Sequence, residues 1–311
     1  MSRNGSTKLR LNHDFMDSYV IETTNVSRAF GKNIAVHNLN LRVKRGSIYG
    51  FLGRNGAGKT TTIKMLAGLL WPDAGQIRVN GADPAKFTAA DRWKIGYVSE
   101  KQILMPGMRV STLIRFTSEF YPDWDTAVCD RILNRFSIDP TRRVKELSLG
   151  TARQVAFMLA LAQKPDLLIL DEPAATLDVV ARRAFLDEML DLLRQRDKTV
   201  LFSSHILSDV ERVADEIGII SQGTLKISEP LDQLKDCVKQ VRFHGFLRGM
   251  NGFNLPEAYR FTKTKNEALA TLRITDESML PKLAAAHHCQ YEIIDLNLED
   301  IFVEMVREPR E

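Results

Sequence analysis

The sequence GRNGAGKT, residues 53–60, has residue types that could bind the phosphates of a nucleotide. It fits the pattern G-x-x-x-x-G-K-[ST] and lies after a predicted strand and before a predicted helix. Glycines let the backbone approach a phosphate closely, and a helix start supplies unpaired N–H donors with a favourable dipole. We therefore predict a nucleoside triphosphate site in which Lys59 contacts the β- and γ-phosphates and Thr60 binds Mg²⁺. The nucleotide-binding residues predicted on this loop are Gly53, Asn55, Gly56, Ala57, Gly58, Lys59, Thr60 and Thr61.

Two adjacent carboxylates, Asp171 and Glu172, follow the apolar sequence LLIL. A buried strand in an open α/β sheet presents such residues at its carboxyl end, where ligands bind. We expect Asp171 to bind Mg²⁺ and Glu172 to orient or deprotonate the attacking water. The alternative, a pair of solvated loop acids, is disfavoured by the four aliphatic residues that precede them.

The surrounding segments predict the elements that position these residues. Strand patterns occur in YVIETTNVSRAF, AVHNLNLRVKRGSIYGFLG, DLLILDEP and KTVLFSSH, and EIGIISQGTLKISE is typical of a hairpin. Helices are predicted from Lys59 to about Leu70 and over VVARRAFLDEMLDLLRQR. Because strands alternate with helices, we predict an α/β fold with a parallel sheet.

The organisation along the chain predicts three parts. Residues 1–18 form a polar tail, residues 19–229 a nucleotide-binding domain with a helical insertion at about 101–150, and residues 230–311 a small C-terminal α/β accessory domain. In that last part VKQVRFHGFLRG, ATLRITD and YEIIDLN predict strands, whereas NEALA and LEDIFVEMVRE predict helices.

Composition excludes several classes of function. The net charge of +4, from 43 basic and 39 acidic residues, is too mild to indicate nucleic-acid binding. Three dispersed cysteines indicate reduced thiols in a cytosolic protein, and His287-His288-Cys289 lacks a second ligand cluster, which favours a structural role over metal binding. The longest apolar run near the middle of the chain, residues 155–162, is too short to cross a bilayer, so we expect no transmembrane span.

The ordered set of motifs resembles the ATPase subunit of an ATP-binding cassette (ABC) transporter over about residues 19–229. The resemblance implies a P-loop NTPase cassette: a RecA-like parallel sheet core with an antiparallel β subdomain and a helical subdomain. ELSLGT resembles the family signature, which more often reads Leu-Ser-Gly-Gly-Gln; here Leu149 and Thr151 depart from it. In this family two subunits pair head to tail, which implies that Ser148 and the Gly150 amide contact the γ-phosphate of an ATP held mainly by the other chain.

Four further residues carry roles that the resemblance implies. His205, in FSSHIL, matches the switch histidine that contacts the γ-phosphate and the attacking water, and Asp178, in ATLD, matches the loop that crosses the dimer interface. Phe30 matches the aromatic residue that stacks on adenine, where Tyr is commoner; its alternative is a core phenylalanine. Glu100 occupies the place of a glutamine that senses Mg²⁺ and the membrane partner, as in bacterial exporters whose ATPase and membrane subunits are separate chains.

The function that the resemblance implies is ATP hydrolysis with Mg²⁺, coupled to transport and more specifically to export. The expected partners are a second ATPase subunit, in a homodimer or a heterodimer, and multi-span membrane subunits, which would hold the chain in the cytoplasm at the inner face of the membrane. The aromatic residues of the helical insertion either grip a coupling helix or belong to the core: Phe116, Phe120, Tyr121 and Trp124. Two alternatives stay open, a non-transporting regulator of a membrane protein and a soluble ABC-type ATPase acting on ribosomes or DNA. A GTPase is disfavoured because no Asn-Lys-x-Asp motif occurs.

Overall fold

The structure is a computed structural model. It describes residues 18–101, 104–194, 198–246, 253–276 and 278–306, without the side chains of residues 192–194. The predicted N-terminal tail therefore lies outside the described residues, apart from Ser18. The chain divides after Ser228 into two compact units.

The first unit contains the strands of two sheets. Its strands are β1 (Tyr19–Phe30), β2 (Asn33–Leu39), β3 (Arg42–Lys44), β4 (Ile48–Leu52), β5 (Ala74–Val79), β6 (Ile95–Val98), β7 (Leu167–Leu170), β8 (Thr199–Ser204), β9 (Glu216–Ser221) and β10 (Thr224–Pro230). One sheet has the order β2-β1-β3, with β5 paired to β1, and its pairs are antiparallel. The other has the order β10-β9-β4-β8-β7-β6, and the pairs from β9 to β6 are parallel.

The helices of the first unit connect these strands. They are α1 (Lys59–Leu66), α2 (Ala89–Trp93), α3 (Val110–Ser118), α4 (Thr126–Arg135), α5 (Leu149–Ala162), α6 (Val179–Arg194) and α7 (Leu207–Val213), with 3₁₀ turns at Pro84–Lys86 and Val144–Glu146. The helix predicted from Lys59 to about Leu70 is shorter than expected: it ends at Leu66, and Gly68 then takes a φ of 68°. That left-handed conformation is typical of helix ends.

The central strands of the parallel sheet are buried on both faces. Every residue of β4, β7 and β8 is buried, because helices cover both sides of a parallel sheet. The register pairs Leu52 at the end of β4 with Ser204 at the end of β8, and Leu170 at the end of β7 with Phe202. The carboxyl ends of these three strands therefore lie at one edge of the sheet.

The helical insertion is attached to α6 by a buried ion-pair cluster. Glu188, on α6, has a side chain only 1% exposed, and its carboxylate oxygens lie 2.5 Å from Arg131 Nη2 and 2.9 Å from Arg135 Nη1 on α4. The aromatic residues of the insertion pack in pairs, Phe116 on Phe120 at 5.1 Å between ring centroids. A core position is wrong for Phe120, which is 59% exposed.

The second unit is a small α/β arrangement with its own core. Its elements are α8 (Leu231–Cys237), β11 (Val238–His244), β12 (Arg260–Lys263), β13 (Glu267–Arg273), α9 (Met279–His287), β14 (Gln290–Asp295) and α10 (Leu298–Val306). The four strands form an antiparallel sheet in the order β12-β13-β11-β14. Apolar side chains of the strands pack with Phe253, Leu255 and Leu280.

One helix predicted in the second unit is wrong. NEALA, residues 266–270, belongs largely to strand β13, because Ala268 and Ala270 alternate with neighbours and fill the core face at 0% and 1% exposure. Helix propensity was overridden by tertiary burial. Among the described residues, no helix combines the length and the apolar character needed to cross a bilayer.

The ion-pair cluster on α6 predicts the effect of Glu188→Gln. The change leaves Arg131 and Arg135 without their buried carboxylate, but both arginines keep access to water. We therefore expect the free energy of unfolding to fall by about 2 kcal/mol, which is less than the cost of breaking a fully buried pair. Thermal unfolding should show Tm lowered by about 4–8 °C. Asp187→Asn is the matched control: its ion pair with Arg212, at 2.8 Å, is partly exposed on both sides, and Tm should stay nearly unchanged. Equal losses in the two variants would contradict the anchoring role of Glu188.

Candidate functional site

The loop after β4 forms a cradle whose shape only glycine permits. Gly56 and Gly58 have φ values of 81° and 107°, and a Cβ on Gly58 would lie 2.4 Å from the Ala35 carbonyl oxygen. Helix α1 begins directly after Gly58 without a side-chain cap. Its first amides can therefore donate to an anion, as a phosphate-binding helix start requires.

A cleft of about 470 Å³ opens over this cradle. It brings together most of the residues predicted from the sequence, and its lining comprises Phe30, Asn33, Ala35, Arg54, Asn55, Gly56, Gly58, Lys59, Thr60, Thr61, Glu100, Glu172, Ala175 and His205. Gly53 and Ala57 are buried parts of the same loop. Phe30 is 47% exposed at the rim, with the Arg28 guanidinium 5.0 Å from its ring centroid, so the alternative of a core phenylalanine is wrong.

Asp171 is a buried carboxylate at the end of β7, only 1% exposed. Ser203 Oγ donates to its Oδ1 at 2.7 Å, whereas Oδ2 is buried without a hydrogen-bond partner. Burial raises the pKa of this carboxyl above its ordinary value, and the Ser203 and Thr60 hydroxyls act in the opposite direction, while the negative charges of Glu100 and Glu172 raise it further. An orphaned carboxylate oxygen beside Thr60 suits a cation.

Glu172 places its carboxylate between a lysine and a histidine. Its Oε2 lies 2.7 Å from His205 Nδ1, and its Oε1 lies 3.4 Å from Lys59 Nζ. Because an ionised carboxylate only accepts hydrogen bonds, Nδ1 carries the hydrogen in this pair. Lys59 Nζ also donates to the Gly53 carbonyl at 2.7 Å, which keeps the ammonium at the mouth of the cradle. The constellation can hold a phosphate and orient a nucleophile beside it.

The backbone of Glu172 is strained and held from both sides. Its φ of 49° lies in the left-handed region, which a residue with a side chain rarely adopts. Its amide donates to Ser203 Oγ at 2.9 Å, and its carbonyl accepts from Arg153 Nη1 at 3.3 Å. Such strain persists where the surrounding contacts fix it, and it is typical of functional sites.

Asp171 is buried and does not line this cleft, and three further predicted residues also lie outside its lining. Ser148 caps helix α5, where its Oγ accepts from the Thr151 amide at 3.0 Å. Gly150 lies against the loop after β7, since a Cβ there would be 3.3 Å from the Thr176 carbonyl oxygen. Asp178 Oδ1 accepts from the amides of residues 180 and 181 at the start of α6. The structure groups these three at a second surface instead.

Large apolar side chains are exposed at that second surface. Leu149 is 59% exposed, Val179 77% and Val180 80%. They flank Ser148, Gly150 and Asp178 along the sequence. We call these six residues the signature surface.

Sequence reasoning missed the cleft-lining residues Asn33, Ala35, Arg54 and Ala175 and two residues that connect the functional groups. Ser203 connects Asp171 and Glu172, and Arg153 connects Glu172 to Glu100, whose carbonyl accepts from Arg153 Nη2 at 2.7 Å. A signal exists for each: Ser203 is one of two consecutive serines that end the buried strand TVLFSS, and Arg153 is a cation in the buried stretch RQVAFMLALA. Glu100 itself is exposed at the edge of the cleft.

The cleft suits a magnesium ion bound partly by phosphate. Within the described ranges, no group of three or more His, Cys, Asp or Glu side chains forms a metal cage. Mg²⁺ in nucleotide sites uses one or two protein oxygens together with phosphates and water. Asp171 and Thr60 fit that requirement.

Comparison with known proteins identifies relatives. A family model described as ABC transporter matches residues 36–175, which include the cradle, both carboxylates and Ser148. The bacitracin transport ATP-binding protein BcrA of Bacillus licheniformis is 36% identical over 220 residues, which cover 70% of this chain and 72% of that protein. The Nod factor export ATP-binding protein I of Burkholderia orbicola (strain AU 1054) is 31% identical over 294 residues, which cover 92% of this chain and 96% of that one.

A solved structure described as the ATP binding subunit of an ABC transporter has the same fold. The TM-score is 0.64 at 28% sequence identity, and the match covers 70% of this chain and 92% of the other. The predicted cassette fold, a parallel sheet core with antiparallel and helical parts, is therefore confirmed.

The buried carboxylate predicts an unusual behaviour of Asp171→Asn. A carboxyl whose folded pKa is raised binds protons more tightly in the folded state, so the free protein loses stability as pH rises from the ordinary aspartate pKa through the raised one. At pH 7 in EDTA the variant should have an equal or higher Tm than the native chain, yet at least 100-fold slower ATP hydrolysis with Mg²⁺.

Asp166→Asn, at the exposed start of the same strand, is the control for that comparison. Its partner Lys198 lies 3.8 Å away in a partly exposed pair, and both Tm and hydrolysis should stay close to native values. A Tm of Asp171→Asn several degrees below native would show that the carboxylate contributes to folding instead of awaiting a cation.

Proposed function

This chain belongs to the ABC transporter ATP-binding subunits and is an ATPase, and from that membership we propose that two copies close head to tail around two ATP molecules and drive an export cycle in separate membrane subunits. One observation carries the proposal. The phosphate cradle, Glu172 and His205 share one cleft, whereas Ser148, Gly150 and Asp178 lie on the signature surface outside it.

Within the cleft, each residue has a role that its contacts support. The cradle amides and Lys59 bind the phosphates, and Phe30 stacks on the adenine at the rim. Glu172 orients and deprotonates the attacking water, and His205 fixes the carboxylate through the 2.7 Å contact and faces the γ-phosphate. On nucleotide binding Lys59 exchanges its contacts with Gly53 and Glu172 for phosphate oxygens, which releases the Glu172 carboxylate toward the water.

Asp171, Thr60 and Glu100 would hold Mg²⁺. The unpartnered Oδ2 of Asp171 supports this assignment, since a buried carboxylate oxygen without a donor is costly unless a cation pairs with it. When bound, Mg²⁺ neutralises charge on the phosphate oxygens. Glu100 is exposed at the cleft, so we assign it to the metal's outer contacts and to the membrane partner rather than to a buried ligand position.

Dimerisation is supported by the composition of the signature surface. Ser148 is exposed at the start of α5, a helix of 14 residues, and Leu149, Val179 and Val180 expose apolar area beside it. Exposed apolar side chains grouped in this way favour an interaction surface. A second copy covers them while its own cleft receives Ser148 and the Gly150 amide as γ-phosphate donors.

Export is supported by the named functions of relatives, which include bacitracin transport and Nod factor export. The membrane subunits would dock on the helical insertion, where Phe120 is exposed. We propose that the chain thereby lies in the cytoplasm at the inner face of the membrane. Residues 230–311 are assigned as an accessory domain.

The role of Glu172 predicts the behaviour of Glu172→Gln. The amide keeps the size of the side chain but cannot accept a proton, so kcat should fall at least 100-fold while ATP affinity is retained. With ATP and Mg²⁺, size-exclusion chromatography should show an accumulated dimer. Glu119→Gln, the same chemical change at an exposed helix end, should leave both properties native. Undiminished hydrolysis by Glu172→Gln would overturn the assignment.

Shared sites predict complementation between two inactive variants. Lys59→Ala destroys the cradle and Ser148→Ala the donor, so each homodimer should be inactive. In a head-to-tail heterodimer both defects fall in one site and the other site is intact, so the mixture should regain up to about a quarter of native activity. An inactive mixture in which heterodimers are detected would contradict the shared site.

Co-purification with a multi-span subunit in detergent, followed by transport into vesicles, tests the membrane role.

A further inference from the structure

Arg153 is a buried arginine for which the described residues provide no ion pair. The residue is 6% exposed on helix α5. In the part of the chain that the structure describes, its guanidinium donates to two backbone carbonyls and forms no ion pair, and Nε lacks a hydrogen-bond partner. Burying a charge without an ion pair costs free energy. A methionine of similar volume would fill the space without that cost, so a packing role does not explain the arginine.

The two carbonyls belong to residues of the hydrolysis site. Arg153 Nη2 donates to the Glu100 carbonyl at 2.7 Å, and Nη1 donates to the Glu172 carbonyl at 3.3 Å. These carbonyls follow β6 and β7, neighbouring strands of the parallel sheet. The planar guanidinium presents its donors in a rigid fork, so it fixes the two carbonyls relative to each other.

The contact with Glu172 acts on a strained residue. A φ of 49° is unfavourable for glutamate, so the conformation needs external contacts to persist. Ser203 holds the amide side, and on the carbonyl side Arg153 donates at 3.3 Å and the Ala175 amide at 3.4 Å. Without Arg153, the longer Ala175 contact is left to hold the carbonyl, and the peptide after Glu172 can rotate toward an unstrained conformation. The carboxylate then points away from Lys59 and His205.

We infer that Arg153 is a positioning residue for hydrolysis: its guanidinium sets the backbone of Glu172 and Glu100, and so aims the Glu172 carboxylate. The inference rests on the proposed role of Glu172 as the base. It also connects two surfaces, because Arg153 lies five residues after Ser148 on the same helix. Movement of α5, when Ser148 contacts the partner's nucleotide, is transmitted to the chain's own Glu172.

The test compares Arg153→Met and Arg153→Lys in the full chain. Methionine fills the space without donors, and lysine keeps the charge but offers a single nitrogen that cannot fork between two carbonyls. We expect kcat for ATP to fall about 10–100-fold in Arg153→Met, the range that a misplacement of about 1 Å produces. KM for ATP should stay within about threefold, since no phosphate contact is lost. Arg153→Lys should recover only part of kcat.

A second readout separates positioning from general stability. The Mg²⁺ concentration that gives half-maximal hydrolysis should rise at least about threefold in Arg153→Met, because the Glu100 backbone is released together with that of Glu172. Arg135→Met is the matched control: it removes another arginine from the same unit, one that pairs with the buried Glu188 away from the cleft. It should lower Tm while leaving kcat per folded molecule and the Mg²⁺ requirement native.

The outcomes distinguish this inference from the assignment of Glu172. Native kcat in Arg153→Met would overturn the positioning role. A ratio of kcat loss to Tm loss equal to the ratio measured in Arg135→Met would overturn it as well. If Arg153→Met does not fold, a folded Arg153→Lys with native kcat and a native Mg²⁺ requirement overturns it equally. Glu172→Gln run alongside reports on the base itself: an active Glu172→Gln removes the premise, whereas an inactive one with an active Arg153→Met refutes the inference alone.

Discussion

The site depends on the parallel register of three neighbouring strands. Because β4, β8 and β7 are paired in the same direction, the cradle, His205 and the two carboxylates all leave the sheet at one edge. These strands are buried along their whole length, and a one-residue shift would turn each side chain to the opposite face. Core packing therefore fixes the positions of the chemical groups before any ligand contributes.

At that edge the chain holds three groups in states that cost free energy unless other groups compensate for them. Asp171 is desolvated, Glu172 is strained, and Arg153 is charged and buried. Each is compensated only in part, by Ser203 and by backbone carbonyls. A cation bound with the nucleotide would supply the partner that Asp171 Oδ2 lacks, so the cost of burying this carboxylate is offset in the bound state.

Sequence patterns predicted the parts of this arrangement that are local. The cradle and the Asp-Glu pair each lie within a few consecutive residues at a strand end, and the structure places most of the cradle and Glu172 in the lining of one cleft. The contacts of Arg153 and Ser203 join residues 19 to 53 positions apart, so no short pattern contains them. NEALA was misread for the opposite reason: its local composition favours a helix, but burial between two strands decides its conformation. The roles of the residues remain predictions even where their positions are known.

The two middle positions of the family signature, Leu149 and Gly150, differ in how far the structure constrains them. Leu149 occupies the first, and its side chain is 59% exposed, so the leucine needs no space inside its own chain. At the second position a Cβ on Gly150 would meet Leu177 Cδ2 and the Thr176 carbonyl oxygen at 3.3 Å each. A side chain there would require the Thr176 backbone or α5 to shift by a few tenths of an ångström. The first position is therefore free to vary on an exposed surface, whereas the second is constrained by the chain's own packing.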